Sequence, residues 1–333
     1  MNITVIGAGA IGGHIAAKLA AAGERVKVVA RGAQLKAIRE CGLVLKEDGE
    51  EIAARVEATD RIAEAGGADL VVLAVKAHQL TPIAADVASI IKPATMVMTT
   101  QNGIPWWYFL KHGGRYEGHQ LESVDPGGVI ADHLPIDAII AAISYQAAEI
   151  ESPGVIRHIE GHRLPLAEID GRKTERIAAL SELFTRAGFK SPALQDVRTE
   201  IWTKLWGNLT FNPVSALSHA TLEDICRFLP TRALAAAMMR EAQTVGEAFG
   251  VRFRLSIEKR IAGAESIGAH KTSMLQDIER GRAIEIDALL GSVIELARLA
   301  EVATPHLDAV YAVTKLLGET VARSGGGLSL TPR

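Results

Sequence analysis

A glycine-rich turn near the start of the chain constrains its fold more than any other feature. The turn directly follows the apolar run Ile3–Ile6, and residues 15–22 after it have the pattern of a helix. Between a strand and a helix, the first glycine permits a tight turn, the second lets a pyrophosphate approach the backbone, and the third allows close packing. Free amides at the helix start face the anion. The pattern predicts dinucleotide binding by Gly7, Ala8, Gly9, Ala10, Ile11 and Gly12.

The residue after the second predicted strand indicates which dinucleotide is bound. This strand, Val26–Ala30, ends at Arg31, where NAD-selective sites usually carry Asp or Glu. A carboxylate there binds the ribose 2'-hydroxyl and repels a 2'-phosphate, whereas a guanidinium can pair with the phosphate through two parallel hydrogen bonds. We therefore predict NADP(H) as the cofactor, with Arg31 on the 2'-phosphate. The alternative is a solvated arginine in a loop.

Length and composition limit the classes of protein to which the chain can belong. Its 333 residues are enough for two domains with a large core, so neither disulfides nor metals are needed for stability. Cys41 and Cys226 match no metal-ligand spacing, which predicts buried thiols in a reducing compartment and no metal site. With 36 basic and 39 acidic residues, the net charge of −3 predicts no attraction to nucleic acid or anionic lipid.

No stretch of the sequence has the pattern of a signal peptide or a membrane span. The first strand begins at Asn2 without a charged leader, and no run of about 18 apolar residues occurs. These features predict a cytoplasmic protein with no membrane contact. Its expected partners are a small molecule and a second copy of itself.

The first part of the chain alternates apolar β-branched runs with helical stretches. This pattern is typical of a doubly wound parallel sheet, and we predict an NADP-binding Rossmann-like domain over residues 1–196. Polar residues follow two of the strands, Lys76 after one and Gln101-Asn102-Gly103 after the next, and ligands of such sheets bind at this edge. Two short strands, Gly154–Ile159 and Leu164–Ala167, are predicted to close the sheet's edge. The other predicted buried strands are Leu70–Val75, Met96–Thr100 and Ile139–Ser144.

After Arg198 the character changes to long amphipathic helices. We predict a helical substrate and dimerisation domain over residues 197–333, and the fold class is α/β Rossmann-type with an all-helical C-terminal domain. The predicted helices cover 198–219, 231–250, 254–264, a segment around 273–299, and 305–322.

Three polar side chains share one face of the first of these helices. Lys204, Asn208 and Asn212 follow one another at intervals of four residues, beside apolar and aromatic neighbours. An isolated lysine on an amphipathic helix is usually a solvated surface residue, because burying an ammonium without partners is costly. Here a ligand with a carbonyl and a carboxylate would satisfy the ammonium and both amides. Spacing alone leaves the functional and the surface interpretation open.

A second polar constellation lies between Lys271 and Asp287. Taken alone, Ser273 would be a helix N-cap, and Asp277, Arg280 and Glu285 could form surface ion pairs worth under about 1 kcal/mol each. No cluster with zinc-ligand spacing occurs, and no G-x-S-x-G sequence is present. The sequence therefore gives no support for metal-dependent hydrolysis or serine acyl transfer.

Taken together, these blocks identify a family, because the chain resembles the ketopantoate reductases over essentially its whole length. The matching blocks are GAGAIG with Arg31, VKAHQ at 75–79 with QNG at 101–103, KLxxNxxxNP at 204–213, and SMLQD at 273–277 with Glu285. The resemblance implies a Rossmann domain and a helical domain like that of 6-phosphogluconate dehydrogenase relatives. It also implies NADPH-dependent reduction of a 2-keto acid to the 2-hydroxy acid, namely 2-dehydropantoate to pantoate in pantothenate biosynthesis.

The resemblance also implies roles for particular residues. Lys204 matches the proton-donating lysine, Asn208 and Asn212 match substrate-binding asparagines, and Ser273 matches a substrate-binding serine. Asn102 matches a residue that touches both cofactor and substrate. The remaining matches lie beside the cofactor: Lys76, Ala148, and Glu285 near the nicotinamide ribose.

Departures from the family pattern leave the identity of the keto acid open. The segment from Ile104 to Pro135 is about twenty residues longer than in typical members, a length that often signals function or mobility in a loop. Its aromatic run, which includes Trp106 and Trp107, could form a hydrophobic plug or dimer contact, or could reshape the substrate pocket. Thr221 and His270 also replace residues that are asparagine in other members. The alternatives are therefore a reductase for another 2-keto acid, an opine-type dehydrogenase, or an NADP(H)-binding sensor without turnover.

Overall fold

A computed structural model describes residues 1–330 of the chain. It divides into two compact units, of which the first comprises Met1–Gln101, Trp106–Gln120 and Asp125–Val197. The second unit contains the chain from Arg198 onward together with two short segments from the first half, Asn102–Pro105 and Leu121–Val124. Among the helices of residues 1–330, none is both long and apolar enough to cross a bilayer.

The first unit is built on a seven-stranded sheet of the Rossmann type. Its strands are β1 (Asn2–Ile6), β2 (Arg25–Val29), β5 (Glu57–Thr59), β6 (Leu70–Leu73), β7 (Met96–Thr99), β8 (Ile139–Ala142) and β11 (Leu166–Glu168). Their order across the sheet is β11-β8-β7-β6-β1-β2-β5, and only β11 runs antiparallel to its neighbour. The six parallel strands follow the doubly wound order, in which the chain direction across the sheet reverses beside β1. The predicted α/β fold class is confirmed.

Burial explains why these runs form central strands. All four residues of β6 and of β8 are buried, as expected for strands covered on both faces by helices. The helices of this unit are α1 (Ala10–Ala21), α2 (Gly32–Cys41), α3 (Ala84–Ile90), α4 (Val129–His133) and α5 (Glu175–Arg186).

A second, four-stranded sheet belongs to the same unit. It contains β3 (Leu43–Glu47), β4 (Glu50–Ala54), β9 (Ala147–Ser152) and β10 (Val155–Glu160), in the order β4-β3-β10-β9. The prediction that Gly154–Ile159 closes the edge of the main sheet was therefore wrong, since this run pairs with β3 and β9 instead. The other predicted edge strand does pair with β8 in the main sheet. Strand periodicity defines which face of a strand is buried but not which sheet it joins.

The second unit is all-helical in the part of the chain that the structure describes. Its helices are α6 (Val197–Ser218), α7 (Leu222–Arg227), α8 (Leu229–Ala248), α9 (Ile257–Glu265), α10 (Ser273–Glu279), α11 (Ser292–Leu299) and α12 (Pro305–Ser324), and α6 begins with the last residue of the first unit. The single helix predicted around 273–299 is interrupted after Glu279, because Gly281 adopts a left-handed backbone with φ of 64°. The chain becomes helical again at Asp287–Gly291, a short π-helical turn that leads into α11.

Candidate active site

The glycine-rich turn adopts the geometry that its sequence predicts. Gly7 follows β1 with a φ of 102°, a left-handed conformation that favours glycine. A Cβ added to Gly12 would overlap the carbonyl oxygen of Gly7, so the third glycine is required for helix α1 to pack against the turn. Gly9 precedes α1 as its N-cap, and a Cβ added there would meet no atom within 4 Å. Open space therefore lies beside the first amides of a twelve-residue helix, and no side chain caps them.

Three other residues predicted to contact the cofactor lie in the first unit, whereas Asn102 and Glu285 belong to the second. Arg31 is exposed and occupies the N-cap of α2, just beyond β2. Lys76 precedes a short 3-10 turn beyond β6, and its backbone N donates to Gln79 Oε1 at 3.1 Å. Because β6 pairs with β1 up to Ile6 and Leu73, Lys76 and the glycine-rich turn follow neighbouring strand ends. Ala148 lies in β9 of the four-stranded sheet.

Lys204 is the centre of the polar site in the second unit. Its side chain is half-buried on α6, and its Nζ donates a hydrogen bond to Asn102 Oδ1 at 2.6 Å. Burial lowers the pKa of Lys204 to about 8, against an opposing contribution from the nearby Glu285 carboxylate. A pKa this close to neutrality suits a group that must hold a proton and also release it.

Asn102 reaches Lys204 because its loop is fixed to the short π-helical turn. Ile104 N donates to Ala288 O at 3.1 Å, and Gly103 has a φ of 90°. A Cβ at Gly103 would overlap the same Ala288 oxygen, so the close approach depends on glycine. Sequence reasoning did not identify Gly103 and Ala288 as positioning residues. The QNG sequence was the available signal, since a glycine after a polar residue often marks a left-handed turn.

The remaining predicted substrate residues lie on two helices of the second unit. Asn208 is half-buried and Asn212 is buried, and both share the face of α6 that carries Lys204. Ser273 is the first residue of α10 and is exposed. The N-cap of α10 is Thr272 rather than Ser273, because Thr272 Oγ1 accepts from Leu275 N at 3.3 Å. The Ser273 hydroxyl is therefore not needed for capping.

The aromatic run after the QNG sequence is part of the core of the first unit. Trp106 to Phe109 are each at most 6% exposed, and Trp107 Nε1 donates to Thr99 Oγ1 at 3.0 Å. Of the two interpretations left open by the sequence, this burial favours hydrophobic packing over a reshaped substrate pocket.

Comparison with known proteins gives consistent matches along almost the whole chain. Residues 3–171 match the family model described as "Ketopantoate reductase PanE/ApbA", and residues 196–318 match its C-terminal companion. The chain is 52% identical to the 2-dehydropantoate 2-reductase of Mesorhizobium japonicum, over 95% of this chain and 98% of that protein.

Solved structures also resemble this fold closely. A candidate ketopantoate reductase from Ralstonia solanacearum MolK2 superposes with a TM-score of 0.92 at 40% identity, covering 96% of this chain and 98% of that one. A 2-dehydropantoate 2-reductase from Methylococcus capsulatus superposes with a TM-score of 0.80 at 28% identity, covering 97% and 98% of the two chains.

Proposed function

This chain belongs to the ketopantoate reductase family, and from that premise we propose that it reduces 2-dehydropantoate to pantoate with NADPH, using Lys204 as the proton donor. It is an oxidoreductase that acts on a CH–OH group. The observation that carries the proposal is the hydrogen bond from the Lys204 ammonium to Asn102, on a half-buried helix face that also presents two asparagines.

The first unit fits a dinucleotide phosphate group. The space beside Gly9 and the uncapped start of α1 would receive the pyrophosphate, because backbone amides and the helix dipole favour an anion there. Arg31 would bind the 2'-phosphate from the start of α2, and Lys76 would lie near the cofactor at the neighbouring strand end. Ala148 and Glu285 are proposed as further cofactor contacts. When bound, NADPH supplies the hydride that the keto carbon accepts.

The residues of the second unit would manage the charge that develops on the substrate. As the C2 carbonyl is reduced, its oxygen gains negative charge, and the Lys204 ammonium would hydrogen-bond that oxygen and donate its proton to it. Asn102 orients the amine by accepting one of its hydrogens. Asn208, Asn212 and Ser273 would hold the carboxylate and hydroxyl of the keto acid, which fixes its orientation.

The pKa of Lys204 predicts the pH dependence of reduction. The ammonium form is the proton donor, so kcat/KM for keto acid reduction should be constant below about pH 8 and fall tenfold per pH unit above it. The reverse reaction needs the neutral amine as a base and should rise over the same range. Steady-state rates in both directions between pH 6 and about 10 test this assignment. A falling limb that persists in Lys204→Met would show that another group titrates.

The choice of dinucleotide is tested at Arg31. For Arg31→Asp we expect the preference for NADPH over NADH to fall at least about tenfold, because a charge-assisted pair is lost and a carboxylate repels the 2'-phosphate. Arg25→Asp is a matched control, since Arg25 is exposed at the opposite end of the same strand. The ratio of kcat/KM for the two cofactors is the measurement. An unchanged ratio in Arg31→Asp would remove Arg31 from its role.

The substrate is tested by following NADPH oxidation with 2-dehydropantoate and a panel of other 2-keto acids, each with and without an amine. We expect kcat/KM to be highest for 2-dehydropantoate without an amine. A higher value for another keto acid would make the chain a reductase of that acid, and an amine requirement would indicate an opine-type dehydrogenase. Absence of turnover with every acid, alongside tight NADPH binding, would indicate a sensor.

Two further expectations stay predictions. The cytoplasmic location rests on the sequence, and the homodimer on the apolar helices of the second unit. Phe228, the N-cap of α8, is 62% exposed, and Leu229, the first residue of that helix, is 75% exposed. Two exposed apolar side chains are suited to such a contact. Sedimentation equilibrium would measure the oligomeric state.

A further inference from the structure

A cluster of histidines around one glutamate lies in the first unit, close to two residues assigned above to the cofactor: Gly12 precedes His14 by two positions on α1, and the backbone of Ala148 pairs with that of His158. His14 is on α1, Glu47 ends β3, His158 is on β10, and His162 follows β10. The register of β3 and β10 pairs Lys46 with Arg157, so Glu47 and His158 are the next neighbours along the two strands.

Helix α1 reaches this sheet because Gly13 has no side chain. A Cβ at Gly13 would come within 2.7 Å of the Ile156 side chain on β10, so a larger residue would push the helix away. The next residue, His14, is thereby placed against the sheet and is fully buried. The fold therefore brings together ligand-type side chains from three separate stretches of sequence.

The nitrogen atoms of three histidines surround a single carboxylate oxygen. Glu47 Oε1 lies 3.1 Å from His14 Nε2 and 3.6 Å from both His158 Nδ1 and His162 Nδ1. One donor atom from each of His14, Glu47 and His158 lies within 4.8 Å of the others. Adjacent ligands in a tetrahedral zinc site, with metal–ligand distances of about 2.0–2.2 Å, are roughly 3.3–3.6 Å apart. The distances to Glu47 Oε1 are of that size.

Two histidine nitrogens of this cluster, His158 Nδ1 and His162 Nδ1, face Glu47 Oε1 from beyond hydrogen-bond distance. His158 Nε2 lies 2.8 Å from the carbonyl oxygen of Gly161, which can only accept, so Nε2 carries the ring proton. The other ring nitrogen, Nδ1, is the one that faces Glu47. His162 Nδ1 is buried and has no hydrogen-bond partner within residues 1–330. A cation between these atoms would give the His162 nitrogen a partner.

The outer contacts of the cluster resemble those around bound metals. A metal-ligating histidine usually donates its second ring N–H to a carbonyl, as His158 does to Gly161. The second oxygen of Glu47 accepts from Lys18 Nζ at 2.5 Å, which leaves Oε1 to face the histidines.

We propose that His14, Glu47 and His158 bind a divalent transition metal ion, and that His162, whose Nδ1 lies 3.6 Å from Glu47 Oε1, moves closer to become the fourth ligand when the ion binds. Three imidazoles and one carboxylate match the ligand preference and tetrahedral geometry of Zn²⁺. The site would join α1 to the four-stranded sheet, and its role is to stabilise the fold rather than to take part in reduction. This inference does not depend on the proposed function.

The first test uses the full-length wild-type protein after treatment with a chelator. We expect Co²⁺ to bind one ion per chain and to develop the visible absorption bands of a tetrahedral site, which Zn²⁺ then abolishes. Zn²⁺ at about 100 times its Kd should raise the Tm by roughly 4 °C. A Co²⁺ spectrum no different from that of the aqueous ion, with no Zn²⁺ retained after gel filtration, would overturn the proposal.

The second test compares two histidine variants. We expect His158→Gln to weaken Zn²⁺ binding, measured by calorimetry, at least about a hundredfold, because a ligand is lost. His306→Gln is the matched control, since His306 is exposed and its Nδ1 lies 2.6 Å from Glu241 Oε1 in the other unit. Equal Zn²⁺ affinity in both variants would contradict the assignment. If His158→Gln does not fold, His162→Ala at the more exposed position should weaken Zn²⁺ binding at least about tenfold, and an unchanged affinity would overturn the site.

Discussion

Replacing Lys204 with alanine is expected to lower kcat for keto acid reduction at least about a hundredfold while NADPH affinity changes little. The reason is that the ammonium stabilises charge on the carbonyl oxygen and supplies the proton, and no other cation is assigned to that oxygen. Because the side chain is half-buried, Lys204→Met is the better variant if the shorter alanine side chain destabilises the fold by leaving a cavity. Pre-steady-state NADPH oxidation and fluorescence titration of NADPH separate the two effects.

Lys259→Ala is the matched control for this experiment, because Lys259 is an exposed lysine on α9 of the same unit. It should retain kcat and KM. Asn102→Ala should reduce kcat by a smaller factor and alter the pH at which the rate falls, since the amine loses the hydrogen bond to Asn102 Oδ1. Near-normal turnover in Lys204→Met would refute the assignment of the proton donor.

The second large effect is expected from two glycine substitutions that separate binding from folding. Gly9→Ala should leave the Tm unchanged, because its Cβ meets no atom within 4 Å, but should lower NADPH affinity at least about tenfold by filling the space beside α1. Gly12→Ala should destabilise the fold by roughly 1–3 kcal/mol, because its Cβ overlaps the Gly7 carbonyl oxygen. Differential scanning calorimetry and NADPH titration measure the two properties.

The expected pattern is thus a loss of affinity at Gly9 and a loss of stability at Gly12. Gly23→Ala is not a suitable control, because a φ of 90° makes any side chain there strained. Gly263→Ala is the matched control for Gly9→Ala, because an added Cβ at Gly263 also meets no atom within 4 Å. Gly263 lies on α9 of the other unit. If Gly9→Ala binds NADPH as tightly as the wild type, the pyrophosphate does not occupy the space beside α1.

The course of the main sheet could be predicted because its strands are locally encoded. Buried parallel strands need continuous apolar runs, and the glycine-rich turn needs glycine at particular backbone positions, so both leave direct marks in the sequence. The same is true of α6, whose polar face follows from residues four apart. The family resemblance added the residue roles, which remain proposals.

Pairings between distant segments could not be predicted in the same way. Nothing in the local pattern of Val155–Glu160 indicates that it joins β3 rather than the main sheet. The break after Glu279 was also missed, because the apolar spacing continues through residues 281–286 while Gly281 reverses the backbone. The periodicity of a sequence shows which face of a strand or helix is buried. The segment against which that strand or helix packs depends on the rest of the chain.

By itself the sequence determined the Rossmann-type fold, the dinucleotide-binding turn and the helix that carries Lys204, since each depends on residues close together in the chain. Only the tertiary structure grouped Asn102 with the helical unit and brought His14 and His158 to the same oxygen of Glu47. These contacts join residues separated by 102 positions in one case and by 33 in another. Such contacts arise from packing between elements, and packing leaves no periodic mark on the residues that it brings together.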